Sequence, residues 1–135
     1  MFTEDSRVKI PTILHLIQLG YEYLPLGGQE WDKETNIFTD IFIASLLRIN
    51  EGLTKEEAHR MADDVSLELD NEDLGKVFYE RLVERSGNRL IDFENFENNS
   101  FHVVTELPCK KDEDEFRPDI TLLINGMPLV FIEVK

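Results

Sequence analysis

Three charged residues close to the end of the sequence, Asp119, Glu133 and Lys135, could together carry metal-dependent chemistry. They flank two apolar runs that are joined by Asn125-Gly126, a dipeptide that tolerates the positive φ of tight hairpin turns. A hairpin centred on Gly126 pairs positions whose numbers sum to about 252. Because 119 and 133 have this sum, the pattern predicts that Asp119 and Glu133 face each other across the hairpin.

Such a pair of carboxylates favours a hard divalent cation. Two acidic residues whose carbon atoms are about 5 Å apart repel each other unless a cation lies between their carboxylates or one of them is protonated. Mg²⁺ prefers oxygen ligands, and the backbone carbonyl of Val134 would be a further one. Strand alternation places Glu133 and Lys135 on one face and Val134 on the other. This arrangement suits phosphodiester hydrolysis, in which the metal lowers the pKa of a bound water and Lys135 orients or helps to deprotonate the attacking water.

The same residues also have a purely structural interpretation. An Asp at the start of a strand and a Glu-Lys pair at the end of another can simply be solvated. With 28 acidic residues among 135, this spacing arises by chance too easily to identify a site by itself.

The elements that must position these residues are helical in the first half of the chain. Apolar residues at helical spacing predict a first helix that ends at Gly20, with Pro11 either in its first turn or at a kink. A second helix is predicted over 37–49. Thr54 and Glu57 form a capping box that begins a third helix, and Asn71 would cap a fourth.

After Asn88 the pattern changes to short apolar runs that are typical of strands. The predicted strands are 90–93, 101–104, 120–124 and 129–132, and 110–115 is expected to be a charged loop. The chain stops directly after the last apolar strand, with nothing to cover that sheet. We therefore expect residues 1–135 to be a single domain and a fragment of a longer polypeptide.

The composition limits the classes of protein to consider. The 14 basic and 28 acidic residues give a net charge of −14, which argues against DNA binding by the chain alone. No apolar run is long enough to cross a bilayer and no signal peptide is present, so a cytoplasmic location is expected. The single Cys109 excludes an internal disulfide. The acidic stretch 51–73 is expected to be the solvated outer face of two helices.

The segment from Arg117 to Lys135 closely resembles the nuclease core of the restriction (R, or HsdR) subunit of type I restriction-modification enzymes, a branch of the PD-(D/E)xK nucleases. Upstream, 90–93 and 99–101 resemble the lead-in to that core. The stretch 16–21 resembles the first helix of the family, with its Leu-Gly-Tyr ending. The resemblance implies an α/β, restriction-endonuclease-like fold, in which helices flank a mixed central sheet.

The resemblance also implies an activity and its residues. The activity would be that of a type I site-specific deoxyribonuclease, an endonuclease that cleaves double-stranded DNA with Mg²⁺. Asp119, Glu133 and the backbone carbonyl of Val134 would be metal ligands, and Lys135 would be the catalytic lysine.

Two further residues are weaker candidates under the same resemblance. Family members carry an acidic residue on the first helix that completes the metal site, and Glu4 is the first candidate here, with Glu22 behind it. Arg117 would contact a DNA phosphate or pair with one of the acids of the site.

The sequence lacks the Gln-x-x-x-Tyr helix and the ATP-driven motor that follow the catalytic lysine in the family. ATP would therefore be bound only by the missing motor, which couples cleavage to translocation. The implied partners are double-stranded DNA and the modification and specificity subunits, with no role for a membrane. Two alternatives stay open: a non-catalytic acidic docking module, and another PD-(D/E)xK nuclease that acts in DNA repair or on junctions.

Overall fold

The computed structural model describes residues 8–69, 76–111 and 114–134, and it shows a mixed α/β fold. In chain order the elements are α1 (Ile10–Gln18), β1 (Glu22–Tyr23), α2 (Thr39–Ile49), α3 (Lys55–Leu69), α4 (Lys76–Leu82), β2 (Phe101–Thr105), β3 (Cys109–Lys111), β4 (Asp114–Phe116), β5 (Ile120–Ile124) and β6 (Met127–Ile132). The central sheet has the order β1-β2-β5-β6, and β3 and β4 form a separate hairpin. The sheet is mixed because β1 runs parallel to β2, whereas the other neighbours are antiparallel.

Local sequence signals account for the helices. Pro11 lies in the first turn of α1 rather than at a kink, where the missing N–H costs no helical hydrogen bond. The capping box of α3 is confirmed: Thr54 Oγ1 accepts the Glu57 N–H at 3.2 Å, and Glu57 Oε1 accepts the Thr54 N–H at 3.2 Å. The predicted cap of α4, Asn71, lies outside the described residues. No helix in the described ranges is long and apolar enough to cross a membrane.

The β5–β6 hairpin has the turn that Asn125-Gly126 predicts. Both residues adopt positive φ, 52° and 79°. The Gly126 carbonyl accepts a hydrogen bond from the Phe38 N–H at 2.9 Å, so the turn is packed directly against the chain that leads into α2. A Cβ atom at Gly126 would lie 2.6 Å from the Phe38 carbonyl oxygen, and only glycine fits there.

The core lies on both faces of the sheet. Helix α1 covers one face through Leu16, which packs with Val103, Ile120 and Leu122. The next residues of the same strands, Val104 and Leu123, point to the opposite face because side chains alternate along a strand, and they belong to a second cluster. The residues of that second cluster are Phe38, Val104, Leu107, Cys109 and Leu123. A third cluster joins α2 and α3 to the hairpin turn through Met127. Helices therefore flank the sheet, as the sequence predicted.

The predicted strand over 90–93 is wrong. Leu90 and Ile91 are buried in the core, which explains their apolar character. The Asp92 carboxylate accepts the N–H groups of Glu94 and Asn95 at 3.0 and 2.9 Å, and this closes a turn. A short apolar run thus marks a buried loop here rather than a strand.

The prediction of a loop over 110–115 is also wrong. The described residues of this segment belong to the strands β3 and β4, in which Cys109 pairs with Phe116 and Lys110 with Glu115. The anchor of this hairpin is Cys109, which is 2% exposed and packs beside Leu107. The charged composition concealed the strands because all three residues of β4 are exposed, and no alternation of apolar and polar residues marks them.

Candidate metal centre

The β5–β6 hairpin brings Asp119 and Glu133 to the same end of the sheet. Ile120 and Ile132 are the last pair of the ladder, so Asp119 and Glu133 lie one position beyond it on their two strands. The predicted register is therefore confirmed for the part of the hairpin next to these residues. Nearer the turn the pairing shifts by one residue, between Leu122 and Leu123.

A hydrogen bond fixes the Asp119 carboxylate in place. Its Oδ2 accepts the backbone N–H of Val134 at 2.7 Å, across the end of the hairpin. The Val134 side chain packs against the cluster under α1, and Glu133 is exposed. The side chains of Glu133 and Val134 thus point to opposite faces, and the alternation of β6 continues beyond its last residue.

The oxygen atoms at this end of the sheet match the preferences of Mg²⁺. Within the described part of the chain, the second carboxylate oxygen of Asp119, Oδ1, accepts no hydrogen bond, and no group of three or more His, Cys, Asp and Glu side chains is arranged to hold a metal ion. Mg²⁺ is commonly bound by one or two carboxylates, with water and substrate phosphates as its other ligands. Asp119 and Glu133 therefore fit a magnesium ion that keeps part of its water shell.

The other predicted site residues are not all at this place. Lys135 and Glu4 lie outside the described residues. Glu22 is on β1, where its carboxylate lies 4.0 Å from His102 Nε2, several residues away from the end of the sheet that carries Asp119. Arg117 pairs with Glu115 at 3.2 Å on the surface, rather than with an acid of the site.

The sequence analysis missed an ion pair beside the candidate site. The Lys9 ammonium contacts the carboxylate of Glu106, 97 positions further along the chain. Glu106 directly follows β2, and its N–H points at the Asp119 carbonyl oxygen at 3.4 Å. The pairing of Thr105 with Ile120 brings Glu106 close to Asp119. That register cannot be read from the sequence, because the β3–β4 hairpin separates the two strands.

The sequence matches a family of known proteins. A family model described as type I restriction enzyme R protein N terminus matches residues 1–135. The chain belongs to this family. The resemblance found in the sequence is therefore confirmed.

Individual relatives agree with the family match. The chain is 33% identical, over 98% of its length, to the "Putative type I restriction enzyme MjaIXP endonuclease subunit" of Methanocaldococcus jannaschii. It is 28% identical, over 97% of its length, to the type I restriction enzyme HindI endonuclease subunit of Haemophilus influenzae. The chain spans only 15% of the length of either relative. No solved structure gives a significant match.

Two cavities lie away from Asp119 and Glu133. One of about 600 Å³ is lined by Asp32, Glu34, Asn36 and the aromatic rings of Phe116 and Phe131. Neither Asp119 nor Glu133 borders it. The acidic residues at its rim repel phosphate groups, so this cavity does not suit a nucleic-acid backbone.

A second cavity, also about 600 Å³, lies beside His102 and Glu22. Burial lowers the pKa of the His102 imidazole, and the Glu22 carboxylate offsets this only in part. The neutral imidazole is thus favoured at physiological pH, and this histidine has no contact with the carboxylates of the hairpin.

Proposed function

We propose that this chain is the nuclease module of a type I restriction enzyme R subunit and that Asp119 and Glu133 bind Mg²⁺ for cleavage of double-stranded DNA. One observation supports the proposal: Asp119 and Glu133 occupy matching positions just beyond the last pair of the hairpin, Ile120 and Ile132, and the Val134 N–H orients the Asp119 carboxylate. The endonuclease names of the relatives support it. The proposed fold is the PD-(D/E)xK core, with which the mixed four-stranded sheet and flanking helices agree.

Each residue has a defined part in this proposal. Asp119 would offer Oδ1 to the metal while the Val134 N–H holds Oδ2 and fixes the orientation of the carboxylate. Glu133 supplies the second carboxylate, and the Val134 carbonyl supplies a backbone oxygen. When bound, Mg²⁺ provides a water of lowered pKa and neutralises charge on the phosphate. Lys135 orients the attacking water and stabilises the negative charge that develops during the reaction.

The rest of the R polypeptide would bring DNA to this module. The net charge of −14 repels DNA at long range, and Arg117, the proposed phosphate contact, shares its charge with Glu115. Since the chain is only a small part of the length of its relatives, we propose that ATP-driven translocation and the contacts with the modification and specificity subunits belong to the remainder.

Substitution of the proposed catalytic lysine tests this function. In the full R polypeptide, assembled with its partner subunits, Lys135→Ala should lower the rate of DNA cleavage at least about 100-fold, because a stabilising charge is lost from the transition state. ATP hydrolysis should be unchanged. Lys55→Ala, which removes the same charge from the exposed start of α3, serves as the matched control. Undiminished cleavage by Lys135→Ala contradicts the proposal.

A further inference from the structure

The end of the sheet carries three carboxylates, not two. Thr105, Ile120 and Ile132 lie side by side on β2, β5 and β6. The next position on each of these strands is acidic: Glu106, Asp119 and Glu133. Because paired residues of neighbouring strands point to the same face, a regular continuation of β2 would direct Glu106 to the side of the other two acids.

The backbone conformation of Glu106 and its ion pair with Lys9 prevent this orientation. Glu106 has a φ of +56°, a left-handed conformation that is unfavourable for a residue with a Cβ atom. Its carboxylate meets the ammonium of Lys9, whose side chain is only 11% exposed. Lys9 shares a cavity with Ile13 and Thr105, so it lies on the face that α1 covers. The third carboxylate is thus held on the helix side of the sheet.

We propose that Lys9 and Glu106 are positioning residues, which keep a third carboxylate away from the metal that Asp119 and Glu133 bind. The inference rests on the proposed function. A buried ammonium is stable only when it is paired, and Glu106 provides a partner. The pair therefore sets the charge at the end of the sheet and limits the metal to two carboxylates, which leaves its remaining positions for water and phosphate oxygens.

Removal of the positive charge should release Glu106 toward the metal. We expect Lys9→Met to bind Mn²⁺ more than about tenfold more tightly than the unaltered chain, because a released Glu106 would become a metal ligand, whereas loss of the Lys9 charge alone, on the order of 8 Å away, accounts for only about threefold to tenfold in water. Cleavage by the full R polypeptide should fall, since Glu106 would then compete with substrate oxygens. Lys9→Arg should restore both properties. The double variant Lys9→Met/Glu106→Gln should return the Mn²⁺ affinity to the original value.

Calorimetric titration with Mn²⁺ and thermal unfolding without metal distinguish this role from a merely structural one. A structural pair predicts lower stability in Lys9→Met with a Mn²⁺ affinity raised no more than about tenfold, the effect of the lost charge alone, and that result overturns the inference. If Lys9→Met does not fold, Lys9→Gln carries the same expectation. Failure of the proposed function is separately visible: the unaltered chain would then bind no Mn²⁺ that depends on Asp119, and both proposals would be wrong.

Discussion

Asp119 acts through two different oxygen atoms. Oδ2 is engaged by the Val134 N–H at 2.7 Å, while no residue in the described part of the chain donates to Oδ1. A hydrogen bond from a backbone amide fixes the orientation of a carboxylate. The residue thus contributes both to the closure of the hairpin and to the proposed metal centre.

At the scale of single residues, His102 gives a prediction about pH. Because burial lowers its pKa below the ordinary 6.5, the folded chain binds fewer protons at this site than the unfolded chain. The stability from the neutral imidazole is present above about pH 6.5 and is lost as the pH falls through the lower folded-state pKa. Urea unfolding at pH 7.5 and 5.5 should therefore show a smaller loss of stability on acidification for His102→Gln than for the unaltered chain.

An NMR titration of the imidazole measures the same property directly. A midpoint at or above 6.5 contradicts the assignment, as does an equal loss of stability in the variant and the unaltered chain. Surface carboxylates titrate in both proteins, so they cancel in the comparison.

At the scale of elements, the β5–β6 turn controls the register that aligns Asp119 with Glu133. Gly126→Ala would place a methyl group 2.6 Å from the Phe38 carbonyl oxygen and force a positive φ on an L side chain. We expect a loss of about 3 kcal/mol in the free energy of unfolding. Gly87→Ala is the matched control, since Gly87 also has a positive φ but open space around it, and should cost about 1 kcal/mol.

Chemical denaturation of both variants measures the difference. Equal losses for Gly126→Ala and Gly87→Ala would show that contact with Phe38 does not constrain the turn.

The elements that could be predicted from the sequence are those formed by residues close together in the chain. The Asn125-Gly126 turn and the Thr54 cap were predictable because each depends on residues a few positions apart. The turn over 90–93 was mistaken for a strand because burial produces the same apolar run in both. The approach of Glu106 to Asp119 could not be predicted, since it depends on the long-range register of β2 and β5.

At the scale of the whole molecule, parts of the net charge of −14 can be assigned to particular surfaces. Part of it lies on the exposed surface of α3, where Glu56, Asp63 and Asp64 face solvent. Another part is gathered in the row formed by Glu106, Asp119 and Glu133 at the end of the sheet. Lys9 compensates one charge of that row, and a divalent cation would compensate the other two.

Binding of Mn²⁺ in place of Mg²⁺ tests the central claim most directly, because this paramagnetic ion broadens NMR signals of nearby nuclei. At substoichiometric Mn²⁺, the account predicts selective broadening of the amide signals around 119–120 and 133–134. Asp119→Asn should abolish it, whereas Asp114→Asn, which removes the same charge from the exposed strand β4, should not. Broadening that is centred on the acidic surface of α3, or that persists unchanged in Asp119→Asn, would contradict a metal centre at the end of the hairpin.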